Sequence, residues 1–437
     1  MNIKITRFIS RIFNFNLLFF CSSIFCTNVL AQTKNLDFFL LQGITNDATL
    51  RETKLSAEIL SVQNQIINAQ NKTPLVYLTA DYLFSPYFNS NGKPVEVTDN
   101  PSSNATGYDI GLSNGGLYSA LINVSLPLFN TAMISSLYAQ NKVLMDLNTQ
   151  TKLQQEHDLV KNITDKYILA FQIQEQEKFM QDVITKLIER KNIMATLVEN
   201  GLLAQTDYKL LEIEINNNRI QLNQLEINYI NAFNDLKNAS IVSDTATFKL
   251  EKPLFNFIQH QGEYHYLNKY RLDSLNLVAQ KNIFDAKYKP QINLVSNAGL
   301  NSTYAMNIPH NFGLAIGLNL NIPIYDGHQK QLNEKQTKIQ IDILKAYKEN
   351  TRLLLKNNLK NTSVQVDKWK VNIKLLDEQI KQREILINML KEKQSIGQVS
   401  MLEYITAIQD YVDTQNLRLM AEINLMLFVN QFNYLNW

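Results

Sequence analysis

Residues 311–327, NFGLAIGLNLNIPIYDG, decide how the chain is read. Phe312, Leu314, Ile316, Leu318, Leu320, Ile322 and Ile324 are large and apolar, while Gly313, Ala315, Gly317, Asn319, Asn321 and Pro323 between them are small or polar. This is period two, and it predicts a strand with one apolar face and one small, wet face. The apolar side runs unbroken over thirteen positions, about 43 Å at the usual rise per residue and roughly twice an ordinary strand. Such a strand suits the wall of a transmembrane barrel, lipid outside and water inside. The alternative is a strand of a soluble sandwich.

The next segment strengthens the membrane reading. From His328 to Gln394 there is neither proline nor glycine, and Lys, Gln, Asn, Glu, Leu and Ile dominate. This predicts a helix of 328–394, on the order of 100 Å long. Trp369, Ile373, Leu376, Ile380, Ile387 and Leu390 recur at coiled-coil spacing along it.

The same plan occurs earlier. In GLYSALINVSLPLF (116–129), Tyr118, Ala120, Ile122, Val124, Leu126 and Leu128 share one face, opposite Ser119, Asn123 and Ser125. A break-free helical run of 131–199 comes after it. Pro323 lies 196 positions after Pro127, Gly397 lies 196 after Gly201, and Glu403 and Tyr404 stand at that same offset from Asp207 and Tyr208. Independent landmarks at one offset indicate an internal tandem duplication.

Residues 1–31 read as a secretory signal peptide: Lys4, Arg7 and Arg11, an apolar core, and Val29-Leu30-Ala31 before the expected cleavage point. Cys21 and Cys26 lie within it, so no disulfide or thiol site is expected in the mature chain. The formal net charge of +2 includes the three signal cations, leaving about −1 and no basic face for nucleic acid. No later segment offers eighteen consecutive apolar residues, so no helical membrane span is expected.

The first structural repeat is 32–238: a helix over 36–72 with Leu55, Ile59, Val62, Ile66 and Ala69 at helical spacing, strands near 74–85 and 116–129, the long helix 131–199 and a returning helix 205–238. Between the strands, 89–107 is rich in Asn, Ser, Gly and Pro and is expected to be an exposed loop. Residues 239–262 lie outside the helical pattern as an equatorial linker. The second repeat, 263–437, holds a helix 263–288, strands near 290–302 and 312–325, the long helix 328–394 and a closing helix 401–434 with Ile405, Ile408, Val412, Leu419, Ile423 and Met426 as its seam.

Four such strands cannot close a barrel around a lumen, and open strand edges in lipid leave unpaired backbone groups at several kcal/mol each. The chain must therefore oligomerise.

Taken together, the signal segment, the two copies of helix–strand–strand–long helix–turn–helix and the LPLFN and IPIYDG strand ends resemble the TolC-type outer membrane efflux family over the whole mature chain. The resemblance implies a mixed α and β membrane protein: a homotrimeric β-barrel with four strands per chain, continuous with a long α-helical coiled-coil barrel. It implies an outer membrane exit duct of a Gram-negative bacterium that passively serves a periplasmic adaptor and an inner-membrane pump. It also implies a lipid-facing wall at the apolar strand positions named above, including Tyr118, Ile122 and Val124. A periplasmic gate would be ringed by Asp207 and Glu403, and the adaptor would dock on helix tips at Gly201-Leu202 and Gly397-Gln398. Better-known members latch their tips with an Arg and a Tyr where this chain has Val399 and Gln394, so that latch is not carried over. The plainer role for Asp207 and Glu403 is as helix-start carboxylates favoured by the helix dipole.

No enzyme is expected, and no cofactor. The histidines are scattered, the His260, Glu263 and His265 spacing fits no common metal motif, and GLSNGG (111–116) lacks the Lys and Ser/Thr of a phosphate loop. Two other readings compete with the duct. A trimeric coiled-coil adhesion protein would need no duplicated greasy strand pair. A soluble periplasmic adaptor would need a compact β-domain between two helices.

Overall fold

The computed structural model describes residues 33–109, 117–243, 248–258 and 262–437. The signal segment, the 111–116 turn and His260 lie outside these. The first repeat holds β1 (Thr33–Lys34), α1 (Leu36–Asn46), α2 (Ala48–Lys72), β2 (Leu75–Tyr82), β3 (Tyr87–Ser90), β4 (Lys93–Glu96), β5 (Tyr118–Leu128), α3 (Thr131–Glu199) and α4 (Gln205–Ser240). The chain continues through β6 (Lys249–Leu250), α5 (His265–Ala286), β7 (Gln291–Ser302), a 3₁₀ turn (Ala305–His310), β8 (Phe312–Asn321), α6 (Gln329–Ser395) and α7 (Met401–Leu435). Moving α4 by the 196-residue offset lands on α7, and moving α3 lands on α6. The two halves differ in the shorter connection between β7 and β8 and in the helix α1, which has no counterpart among the described residues before α5.

Four departures from the sequence expectation have local causes. The helix expected over 36–72 is two helices, because Asp47 turns extended and its carboxylate accepts from the N–H groups of Thr49 and Leu50, at 2.8 and 2.9 Å, capping α2. The loop at 89–107 contains the β3–β4 hairpin, turned at Asn91-Gly92, both with positive φ. The strand expected over 312–325 stops at Asn321, so Ile322 and Ile324 stand beyond it. Pro323 has no N–H to give a ladder, and Gly327 and His328 then turn left-handed (φ 65° and 66°) into α6. Its ten residues span about 34 Å instead of 43 Å. Finally, the apolar series Leu55, Ile59, Val62 and Ile66 on α2 points out of the protomer, and Leu50, Thr53 and Ile67 are its buried side.

The segment after α4 is not a loose linker. β6 pairs in parallel with β1. Gln174 of α3 clamps Leu250 from both sides, accepting from its N–H at 2.7 Å and donating to its carbonyl at 2.9 Å. The Tyr167 hydroxyl donates to the carbonyls of Glu251 (2.7 Å) and Lys34 (3.1 Å). Beneath this belt lies one core, with Phe39, Ile163, Tyr167, Phe171, Phe233 and Phe248 buried together at mid-height of the helices. A second core near the helix reversals joins Leu187 and Met194 of α3 to Leu211 and Ile215 of α4 and to Met401, Ile405 and Ile408 of α7.

The long strands form one open antiparallel sheet in the order β2-β5-β7-β8. The helices are ordered likewise: α2 packs on α3, α3 on α5 and α5 on α6, while further down α4 packs on α3, α3 on α7 and α7 on α6. Each protomer is thus a long curtain, one side bounded by β2, α2 and α4 and the other by β8 and α6. No described helix is long and apolar enough to cross a membrane.

One glycine carries the β5–β7 junction. Gly299 sits at φ 155°, and a Cβ there would fall 2.1 Å from the Ala120 carbonyl oxygen of β5. Gly299→Val is expected to destabilise the protein by roughly 3 kcal/mol or more, whereas Gly313→Ala, with open space around it, is expected to be tolerated. Thermal unfolding of the detergent-solubilised variants checks this.

Candidate functional site

The sheet register sorts every wall residue. Val76, Val124, Ser296 and Ile316 fall in one row across the four strands, and Leu78, Ile122, Ala298 and Leu314 in the next. Ile292, Leu294 and Leu300 of β7 oppose Leu320, Leu318 and Phe312 of β8. Apart from Ser296 and Ser302 this face is apolar, and it is uncovered: Leu78, Phe312, Leu314, Ile316 and Leu318 are 68–71% exposed. The opposite face carries Thr79, Ser119, Asn123, Asn293, Asn297 and Asn319, with Gly313, Ala315 and Gly317 on β8 and Leu75, Tyr77, Leu121 and Val295 on the other strands. Tyr118, Ile122 and Val124 share the apolar face with the β8 series. Val76, Leu78 and Tyr82 of β2 and the β7 set belong there too and were not named from sequence, although PLVYLTADYLF carries the same alternation.

Aromatic side chains flank this apolar band. Tyr82 and Tyr118 pack with ring centres 5.0 Å apart near the loop end, beside exposed Phe84. At the helix end, Phe129 and Tyr325 occupy positions 196 apart and are each 78% exposed. An apolar belt between two aromatic girdles is the pattern of a lipid-facing barrel wall.

Both edges of the sheet are bare. Alternate residues along a strand's free side leave their N–H and C=O unpaired, about five of each over the ten residues of β8. The helices below are bare in the same places. Ile59 of α2 and Ile220 of α4 are 67% and 69% exposed on one border, and Ile339, Ile343, Tyr347 and Val371 of α6 are more than half or nearly half exposed on the other. Surfaces of this extent are interaction surfaces.

At the opposite extremity, two helix-reversing turns are built alike. Leu202 N–H donates to Leu197 O at 2.9 Å, and Gln398 N–H to Lys393 O at 3.0 Å. Gly201 and Gly397 supply left-handed φ values of 69° and 74°. Gly201, Leu202, Gly397 and Gln398 are all exposed at these ends. Glu403 completes a capping box: Ser400 N–H donates to its carboxylate and Ser400 Oγ accepts from Glu403 N–H, both at 3.2 Å. Asp207 stands in the matching first turn of α4, where Ala204 gives no side-chain cap. In both positions the carboxylate meets the positive helix end.

The structure adds partners that the sequence did not single out. Gln394 is buried and accepts a hydrogen bond from the Arg190 guanidinium of α3. That guanidinium lies 5.6 Å over the Tyr404 ring of α7, and its Nε is buried without an acceptor. The second tip is therefore tied to α3 through Arg190 and Gln394. Glu214 of α4, also buried, accepts from Gln409 of α7 at 2.9 Å and from Asn218 at 2.9 Å, joining the two hairpins. On the outer surface of the first hairpin, Lys209 and Lys191 both donate to the Glu212 carboxylate and hold its pKa down to about 2. No cluster of metal-ligating side chains occurs among the described residues.

No family model matches the chain, and no curated protein matches it in sequence. Solved structures do. The chain superposes on CusC, described in terms of folding and transmembrane channel formation, with a TM-score of 0.69 at 12% identity over 92% of this chain and 91% of that one. The Campylobacter jejuni CmeC outer membrane channel gives 0.67 at 13% over 92% and 85%. The Vibrio cholerae outer membrane protein VceC gives 0.65 at 11% over 92% and 96%. The chain has the fold of these outer membrane channels.

Arg190→Ala is expected to leave Gln394 buried without its partner, at about 1–3 kcal/mol. Amide exchange over 390–404 should rise about ten- to a hundredfold, with Arg190→Lys intermediate. Unchanged exchange would show that the tie does not hold the tip.

Proposed function

We propose that three copies of this chain build an outer membrane exit duct of a Gram-negative bacterium, in keeping with the TolC-type efflux family that its sequence resembles. The duct conducts passively what a periplasmic adaptor and an inner-membrane pump deliver to its helical end. One observation carries this reading: the bare strand edges and the bare apolar helix faces lie on the same two borders of the curtain. A border of β2, α2 and α4 meeting a border of β8 and α6 is a head-to-tail contact, which closes into a ring.

The strand count supports three copies. Two chains of four strands would make eight, whose interior side chains fill, whereas twelve leave room for water. Pairing β8 with a neighbour's β2 satisfies groups that otherwise cost several kcal/mol each in lipid. The apolar face then meets acyl chains and the Asn-rich face lines the lumen. The tips at Gly201-Leu202 and Gly397-Gln398 are the docking points for the adaptor. Asp207 and Glu403, brought round a threefold axis, form an acidic ring at the periplasmic gate that draws cations toward the opening. An adhesive coiled coil without transport gives no role to an uncovered apolar sheet, and is the weaker reading.

Leu318→Asp is expected to abolish the membrane-inserted oligomer and Asn319→Asp to leave it intact, read by trimer-sized mass in detergent and outer membrane fractionation. Equal tolerance would mean the inner and outer faces of the wall are exchanged. In planar bilayers, Asp207→Ala and Glu403→Ala are each expected to weaken block by multivalent cations added at the helical end about tenfold. Block unaltered in both variants would remove the gate assignment.

A further inference from the structure

Among the 41 residues of β2, β5, β7 and β8, one is charged, Asp81. The register sets Asp81 opposite Ser119 and Ser119 opposite Asn301, which puts all three on the polar face. Asp81 is exposed there, accepting from Ser119 Oγ at 3.2 Å, one residue from the loop end of β2. The rest of that face is amide, hydroxyl, small or apolar and offers no cation.

The loops beyond it have the same sign. Between β2 and β5 the chain carries Glu96, Asp99 and Asp109 against Lys93, and the β7–β8 connection carries no carboxylate, Lys or Arg. Lys93 is spent on Glu96 at 2.7 Å. With Asp81 this makes four carboxylates to one ammonium at the loop end of each chain, a net of three negative charges.

We propose that Asp81, repeated around the threefold axis, forms a collar at the outer mouth of the barrel that makes this end of the duct selective for cationic and neutral solutes and resistant to entry by anions. This rests on the duct reading and is separate from any ring at the helical tips. A charge on an otherwise neutral wall, backed by lipid, has no partner to cancel its field. At about 0.01 M salt the screening length is about 30 Å and the field reaches across the lumen, whereas at about 1 M it shrinks to about 3 Å. The competing role for Asp81 is that of an edge-strand charge discouraging mispairing of β2, which would act on assembly and leave conduction alone.

Reversal potentials of the purified oligomer in planar bilayers under a KCl gradient separate these. Asp81→Asn should assemble normally and lower the potassium-to-chloride permeability ratio about two- to fivefold in dilute salt, an effect that fades toward 1 M. Asp81→Lys should push selectivity toward chloride, and Ser119→Ala should leave it unchanged. An Asp81→Asn oligomer with the parent's selectivity would overturn the collar while leaving the duct standing. Failure of Asp81→Asn to assemble while Asp81→Glu assembles would also overturn it, in favour of the edge-guard role. A parent protein that forms no pore at all would instead remove the duct reading itself.

Discussion

The unpaired backbone on the outer sides of β2 and β8 is the constraint on which the rest of this architecture depends. A four-stranded sheet with one uncovered apolar face has no place in water, and with two open edges it has none in lipid either. Side-chain chemistry within the protomer cannot remove that conflict, because the missing partners are backbone groups. Only another strand supplies them, and the helices below are bare on the same borders. In the proposed assembly one repeated contact would close both the barrel and the helical tube.

The 196-residue offset relates the two borders to each other. β2, α2 and α4 come from the first copy and β8 and α6 from the second, so a protomer's two borders are the outer flanks of a pair whose inner flanks already meet at β5–β7 and α3–α5. At the junction inside the chain, Gly299 lets β7 approach the Ala120 carbonyl. Between sheet and tips, the belt of β1 and β6 is fastened to α3 by Gln174.

The tips illustrate how the same residue can serve local and collective ends. Glu403 is bonded to Ser400 in a capping box, a local role that leaves its charge at the end of the molecule. Gln394 meets Arg190 in the interior, so a buried guanidinium on α3 constrains the second hairpin.

Much was legible in the residues themselves. Period-two alternation marked β5 and β8, the absence of Pro and Gly marked α3 and α6, and glycines 196 apart marked the reversals. These signals are local: backbone geometry at a turn, and one apolar face per element, are set by near neighbours in the chain. What the chain order could not convey was which elements share a border. That Leu55, Ile59 and Val62 look outward, that Arg190 reaches Gln394 across 204 positions, and that Asp81 is the one charge on the wet face of the four strands were decided only when β2 paired with β5 and α3 packed against α2, α5 and α7. Such facts depend on contacts between residues far apart in the sequence, and periodicity within any single segment carries no record of them.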